Sequence, residues 1–305
     1  MNRSKGVNRV FLVMILVSIV SPYLLSPYLS GLNLYQSIPV SELIYLIPII
    51  GYIILGGGEI LNELRLKLLG PGTVLLVILL AFLLMPVMSW INLLSMLFVE
   101  NYVSSGMESL QTGALAKNLI YVALVPAAAE EFMFRGIFFH GYRPAGARKA
   151  AIFSGLCFGL IHMNLNQFCY AFVLGVIFAL LVEATGSILS SLIVHFMINS
   201  SSVWTLELSR KLYSTEEVSS AAEAFSRSEI LTALEVYTFL AVICGALAYG
   251  VFVLITKVCG SSQHMRLVAR GEDREEGTSG KVVTVSLILG IVIALAYMIL
   301  FEIVL

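Results

Sequence analysis

Charge is what this sequence has least of. Only 12% of its 305 residues are Asp, Glu, Lys or Arg, against about 25% in soluble domains. That shortage excludes an ordinary water-soluble globule. With 59% hydrophobic residues, the chain reads as one whose apolar surface is solvated by lipid. A basic cluster is missing as well, and the net charge is −1, so nucleic acid is not an expected partner. The four cysteines, Cys157, Cys169, Cys244 and Cys259, form no Cys-x-x-Cys pair. They read as small buried hydrophobes, not as a disulfide frame or a zinc site. An Ala-x-Ala type of cleavage site is lacking after the first apolar run, which follows Arg3, Lys5 and Arg9 and continues past residue 20. An uncleaved first span is expected there.

Apolar runs long enough to span a bilayer fall at about 9–31, 38–58, 72–99, 114–140, 147–163, 166–184, 186–205, 230–256 and 282–305. The expected fold is therefore all-α, a polytopic transmembrane helical bundle of about eight to nine spans. The runs at 147–163 and 166–184 are short and closely linked, so they should be packed antiparallel neighbours. Gly155 and Gly159 form a Gly-x-x-x-Gly pair suited to close helix packing. Arg3, Lys5, Arg9, Arg65, Lys67, Arg143, Arg148, Lys149, Lys257, Arg266, Arg270, Arg274 and Lys281 all fall on one side if the spans alternate. The positive-inside rule makes that side, and the N-terminus, cytoplasmic.

The chain divides into N-terminal transmembrane helices (1–113), core helices (114–205), a polar outer segment (206–229) and C-terminal transmembrane helices (230–305). The outer segment reads as a short amphipathic helix, with Ser214 and Glu217 at capping-box spacing. A cytoplasmic linker is expected at 258–281, where the sequence turns polar and charged. Pro48, Pro86 and Pro126 punctuate spans, and each removes a backbone donor. For Pro126, four residues before Glu130, an ordinary kink and a helix opened beside the carboxylates are equal readings.

Against this apolar background, residues 125–136 read Val-Pro-Ala-Ala-Ala-Glu-Glu-Phe-Met-Phe-Arg-Gly. A charged side chain at the bilayer centre costs roughly 2.5–3.5 kcal/mol on insertion scales. Glu130, Glu131 and Arg135 therefore need strong pairing or a function. His162, His195 and Asn199 join them. With a 1.5 Å rise per residue, Glu130 lies ~16 Å, His162 ~22 Å, His195 ~14 Å and Asn199 ~20 Å from the inner ends of their helices. Three helices can thus bring these groups to one depth. His140, near the end of the same span, and Glu183, at the end of the sixth, read as interfacial.

Spacing assigns faces. Glu131 and Arg135 are i and i+4, the good orientation for an ion pair, and read as structural support. Glu130 points about 100° away from Glu131 and is left to His162 and His195. His195 and Asn199, also i and i+4, project from one side of the seventh span. A desolvated carboxylate can act as a base near neutral pH. With His162 it could polarise a water, while His195 and Asn199 donate to an oxyanion. The catalytic candidates are therefore Glu130, His162, His195 and Asn199, with no metal or other cofactor. The rival is a zinc ion at Glu130, His162 and His195, although the His-Glu-x-x-His helix signature is absent.

Glu-Glu-x-x-x-Arg (Glu130, Glu131, Arg135), Phe-x-x-x-His (Phe158, His162) and His-x-x-x-Asn (His195, Asn199) occur in that order. The trio resembles the motif pattern of the CPBP family, which includes the type II CAAX prenyl endopeptidases and bacterial self-immunity relatives. The resemblance covers roughly residues 115–205 and makes 114–205 the CPBP-like catalytic core. It implies an intramembrane endopeptidase, with Glu130 and His162 activating water and His195 and Asn199 forming an oxyanion hole. Phe158 is expected to pack beneath the site. The implied partners are membrane lipids and a peptide or protein substrate, lipidated or membrane-embedded, and the implied location is the plasma membrane, multi-pass. The alternative is a non-catalytic membrane immunity or scaffold protein built on the same polar core.

Overall fold

The structure is a computed structural model that describes residues 3–29, 31–101, 114–212, 226–277 and 280–304. Ten helical segments follow one another: α1 (Arg3–Leu29), α2 (Leu34–Tyr52), α3 (Pro71–Ser95), α4 (115–142), α5 (Ala147–Ile161), α6 (Leu165–Thr185), α7 (Ile188–Leu212), α8 (Arg227–Val258), α9 (Ser262–Arg270) and α10 (Val285–Val304). The physical reason is the missing water. In lipid every backbone N–H and C=O must be satisfied within its own segment, and a helix does this. Among the described residues the only extended pairing is an isolated bridge, Leu66 to Ser187.

All nine expected spans are helices. Seven of them are long and apolar enough to cross a membrane by themselves. The other two are α4, which carries the charges, and α5, which has only 15 residues. The polar outer segment expected at 206–229 is described only at its two ends, which belong to the flanking helices. Residues 206–212 continue α7, and a capping box opens α8, with Ser226 accepting from Glu229 N and Glu229 reaching back to Ser226 N. Ser214 and Glu217 lie outside the described residues.

The short helices behave as their glycines require. The α5–α6 hairpin is tightly packed. A Cβ built on Gly155 would lie 2.8 Å from Val176 N and 3.0 Å from Phe172 O, and one on Gly175 would lie 2.6 Å from Gly155 Cα. Those are backbone atoms, which cannot rotate aside, so only glycine allows this approach. The remaining helices wrap the hairpin. Tyr35 Oη donates to Asn118 Oδ1 at 2.7 Å and ties α2 to α4. Asn166 Nδ2 donates to Ser95 Oγ at 2.6 Å and ties α6 to α3. Asn8 joins three elements, donating to Val282 O at 2.7 Å and accepting from Tyr142 Oη at 2.6 Å. A partner-seeking amide inside an apolar bundle fixes relative position in a way that Leu cannot.

The described residues of the expected linker, 258–277 and 280–281, are docked and not a free linker, which corrects the expectation there. They form α9 and then an extended stretch docked on one end of the bundle. The docking point is Glu183, whose side chain is 1% exposed. Its carboxylate receives Arg65 Nη1 at 2.8 Å, Arg143 Nη2 at 2.7 Å and His264 Nε2 at 2.6 Å. Asp273 follows: its Oδ2 accepts Ala147 N at 2.7 Å, satisfying an orphan donor at the start of α5, and lies 3.3 Å from Arg143 Nη1. Loops that the charge pattern assigned to one side do meet at one end. Arg3 pairs with Glu63 nearby.

Substituting Gly155 by Ala should lower the melting temperature of the detergent-purified protein. Overpacking of this kind costs about 1–3 kcal/mol. Gly250→Ala on α8, where an added Cβ meets nothing within 4 Å, should leave melting unchanged or slightly raised.

Candidate active site

The site begins with the backbone of α4. The segment is α-helical at Leu115–Asn118, π-helical over Leu119–Leu124, α-helical over Val125–Glu131 and π-helical again over Phe132–Phe139, ending α-helical at His140–Tyr142. Pro126 accounts for the first change. It has no N–H, so the carbonyl one turn earlier loses its usual partner, and the wider i to i+5 register takes over. The π-helical register lies before Pro126, and the turn that carries the two glutamates is itself α-helical. In the second π stretch, side chains collect the freed carbonyls. Ser154 Oγ donates to Phe134 O at 2.7 Å, and His140 Nδ1 lies 2.7 Å from Arg135 O. His140 is thus a buried support near the end of α4.

The α-helical turn between the π stretches carries the two glutamates. Glu131 and Arg135 form the expected ion pair, Oε1 to Nη1 at 3.1 Å, with side chains 2% and 0% exposed. Arg135 is also held by aromatic faces. Its Cζ lies 4.4 Å from the Phe158 ring centroid and 4.9 Å from that of Phe178. Such stacking suits the planar, weakly hydrated guanidinium. Glu131 has a second role that helical spacing alone does not reveal. The same Oε1 accepts from His195 Nδ1 at 2.9 Å, so Glu131 orients the histidine of α7 as well as holding Arg135.

Glu130 points elsewhere, as the face argument requires. Its side chain is 16% exposed, the most open of the three charged groups, and its Oε2 lies 3.4 Å from His195 Nε2. His195 therefore has a carboxylate at each ring nitrogen. The expectation that Glu130 faces His162 needs adjustment, since the neighbour at contact distance is His195. His162 joins the group through Phe158, whose ring centroid is 5.0 Å from the His162 ring and 5.7 Å from the His195 ring, edge-on in both cases. Phe158 thus lies among Arg135, His162 and His195, as expected of a residue packed beneath the site.

His162 terminates α5, and its Nδ1 lies 2.8 Å from Phe158 O. A carbonyl can only accept, so Nδ1 carries the hydrogen and Nε2 keeps a lone pair. The turn that follows is tight. Met163 has φ +51°, a left-handed conformation unusual for a side chain with a Cβ, and Asn164 caps α6 by accepting from Gln167 N. Asn199 is half-buried one turn beyond His195 on α7. The structure thus links Glu130, Glu131, Arg135, Phe158 and His195 in a chain of contacts, which Phe158 extends to His162.

Sequence reasoning missed two groups. Phe178 of α6 covers the second face of Arg135 and lies 5.2 Å from the His195 ring. An aromatic in an apolar span gives no signal of that. The other is Glu42 on α2, buried at 9% exposure with Oε2 lacking a hydrogen-bond partner among the described residues. Here there was a signal: an ionisable residue inside a span is itself a functional pointer.

For a metal, ligand atoms must converge. Those of Glu130, His162 and His195 do not gather within 4.8 Å of one another, whereas those of Glu183, His264 and Asp273 do. The latter carboxylates already receive Arg65 and Arg143, which makes that cluster an ion-paired clasp at the end of the bundle.

Residues 112–201 match the family model described as type II CAAX prenyl endopeptidase Rce1-like. The match lies in the middle of the chain and contains all three motifs. No curated protein and no solved structure matches the chain.

Arg135→Ala leaves Glu131 buried beside a lost cation. Removing one partner of such a pair costs about 3–5 kcal/mol. The variant should melt far below wild type, and Arg135→Leu combined with Glu131→Gln should recover part of that loss in the same melting experiment.

Proposed function

We propose that the Rce1-like domain is an intramembrane endopeptidase that hydrolyses a peptide bond with a water activated by Glu130 and His162. The carrying observation is the contrast between the adjacent glutamates. Glu131 is committed to Arg135 and His195, while Glu130 is the more open and makes no ion pair with the arginine. A carboxylate held against a histidine, yet not neutralised by its own helix, fits a base better than a framework group.

The residues divide the reaction as follows. Water gives a proton to Glu130 as its oxygen bonds to the carbonyl carbon. The lone pair on His162 Nε2, left free by the bond from Nδ1 to Phe158 O, accepts the second water hydrogen and orients the attack. The oxygen of the tetrahedral intermediate takes hydrogen bonds from the Asn199 amide and from His195 Nε2, a donation that requires the His195 ring to carry both hydrogens because Nδ1 already donates to Glu131. Loss of one such donor typically costs about 10²–10³ in rate. The C–N bond then breaks, and the proton held by Glu130 passes to the leaving nitrogen. No metal enters this scheme. Glu131 keeps His195 pointing its Nε2 toward the reaction, and Phe158 and Phe178 keep water from Arg135.

The proposed substrate is a peptide or protein segment that reaches the site within the membrane, and a lipidated C-terminus suits the family description. By the positive-inside argument, the clasped end of the bundle faces the cytoplasm, and the plasma membrane is the proposed location.

A farnesylated CAAX-type peptide, incubated with the purified chain, is the probe. Glu130→Gln is close to isosteric and should reduce kcat by about 10²–10⁴-fold with melting little changed. Equal cleavage by wild type and Glu130→Gln would remove Glu130 from the chemistry. Binding of the peptide without cleavage by wild type would favour a non-catalytic role.

A further inference from the structure

Glu42 is a membrane-embedded carboxyl that the motif pattern does not include. It lies on α2, which packs against α4 over the turn that carries Glu130. It is buried, its Oε2 has no hydrogen-bond partner among the described residues, and it interacts electrostatically with Glu130. Among the described residues, the charges of Glu131 and Arg135 of α4 and of His195 of α7 act on Glu130, Glu130 acts on Tyr170 of α6, and Glu42, Glu130 and Tyr297 of α10 act on Tyr45 of α2.

Charge counting then constrains the site. The buried set holds three carboxyls, Glu42, Glu130 and Glu131, but only Arg135 is a permanent cation, and His195 is at most a second. Arg135 and Glu131 neutralise each other. If His195 is protonated, it can compensate one further carboxylate, not two. An uncompensated charge in this environment costs several kcal/mol or more, so one carboxyl of the remaining pair keeps its proton. Two neighbouring buried carboxyls that hold one proton between them are a known route to an acid and a base side by side.

We infer that Glu42 is the proton-sharing partner of Glu130, a positioning residue that holds one proton within the pair and thereby sets when Glu130 can accept another from water. This rests on the hydrolase reading for its consequence, but the shared proton can be measured without any substrate. In the reaction itself, the pair gains one proton from water as the C–O bond forms and loses one to the leaving nitrogen as the C–N bond breaks. The pair thus begins and ends each turnover with one proton.

The direct test is infrared spectroscopy of the purified full chain in lipid nanodiscs, with ¹³C-labelled glutamate to identify side-chain carboxyls. Wild type at neutral pH should show the C=O stretch of an un-ionised, buried carboxyl. Glu42→Gln should lose it, because Glu130 then ionises against His195, and Glu42→Asp should restore it. The Asp variant also serves if Gln fails to fold. On the farnesylated peptide, Glu42→Gln should remove the alkaline step of the pH–kcat profile that belongs to the pair's second proton, with KM within about twofold.

A wild type without the un-ionised band, or a band that persists in Glu42→Gln, overturns the inference. So does a Glu42→Gln pH profile that superimposes on wild type. The hydrolase reading fails separately: cleavage that is indifferent to Glu130→Gln sinks it whatever the infrared bands do.

Discussion

The arrangement depends on one buried interaction, the contact of Glu131 with both Arg135 and His195. A full positive charge sits at 0% exposure in the middle of an apolar bundle. It persists there because a carboxylate lies 3.1 Å away and two phenyl rings cover its faces. Each of those rings belongs to a different helix, Phe158 to α5 and Phe178 to α6, and the carboxylate also holds a histidine from α7. One guanidinium thus requires four helices to meet. Buried ion pairs seldom add much stability over a well-packed apolar core. This one defines which neighbours α4 can have.

That requirement also explains the division of labour between adjacent glutamates. One saturates its interactions within the framework. The other, turned by about 100°, is left facing a histidine whose opposite nitrogen is already fixed. The histidine cannot rotate to follow Glu130 without breaking the bond to Glu131, so the Glu130 side of the ring is a rigid wall. Preorganisation of this sort is what electrostatic catalysis needs, since the donors do not have to reorganise as charge develops.

Much of this was legible in the sequence. Spans follow from apolar run length, and the pairing of Glu131 with Arg135 follows from i, i+4 geometry. Helical rise placed Glu130, His162, His195 and Asn199 at a common depth. What periodicity within one helix cannot supply is the rotation of one helix against another. For that reason the bond from His195 to Glu131, the stacking of Phe178 and the approach of Glu42 all escaped. The docking of residues 258–277 escaped for a related reason. Its composition is that of a solvated linker, but His264 and Asp273 answer Glu183, Arg143 and the start of α5, which are distant in sequence.

The π-helical turns of α4 have one more implication. A turn that takes an additional residue offsets everything beyond it by roughly 100° relative to a regular α-helix. The direction in which Glu130 looks is therefore fixed by how many residues precede it between Leu119 and Leu124, and not only by what they are. Substitutions there leave that aim intact. A single-residue deletion that regularised the helix would swing Glu130 out of line with α2 and α7 while every side chain of the motif remained present. Chain length in this short stretch is thus as much a part of the site as its chemistry.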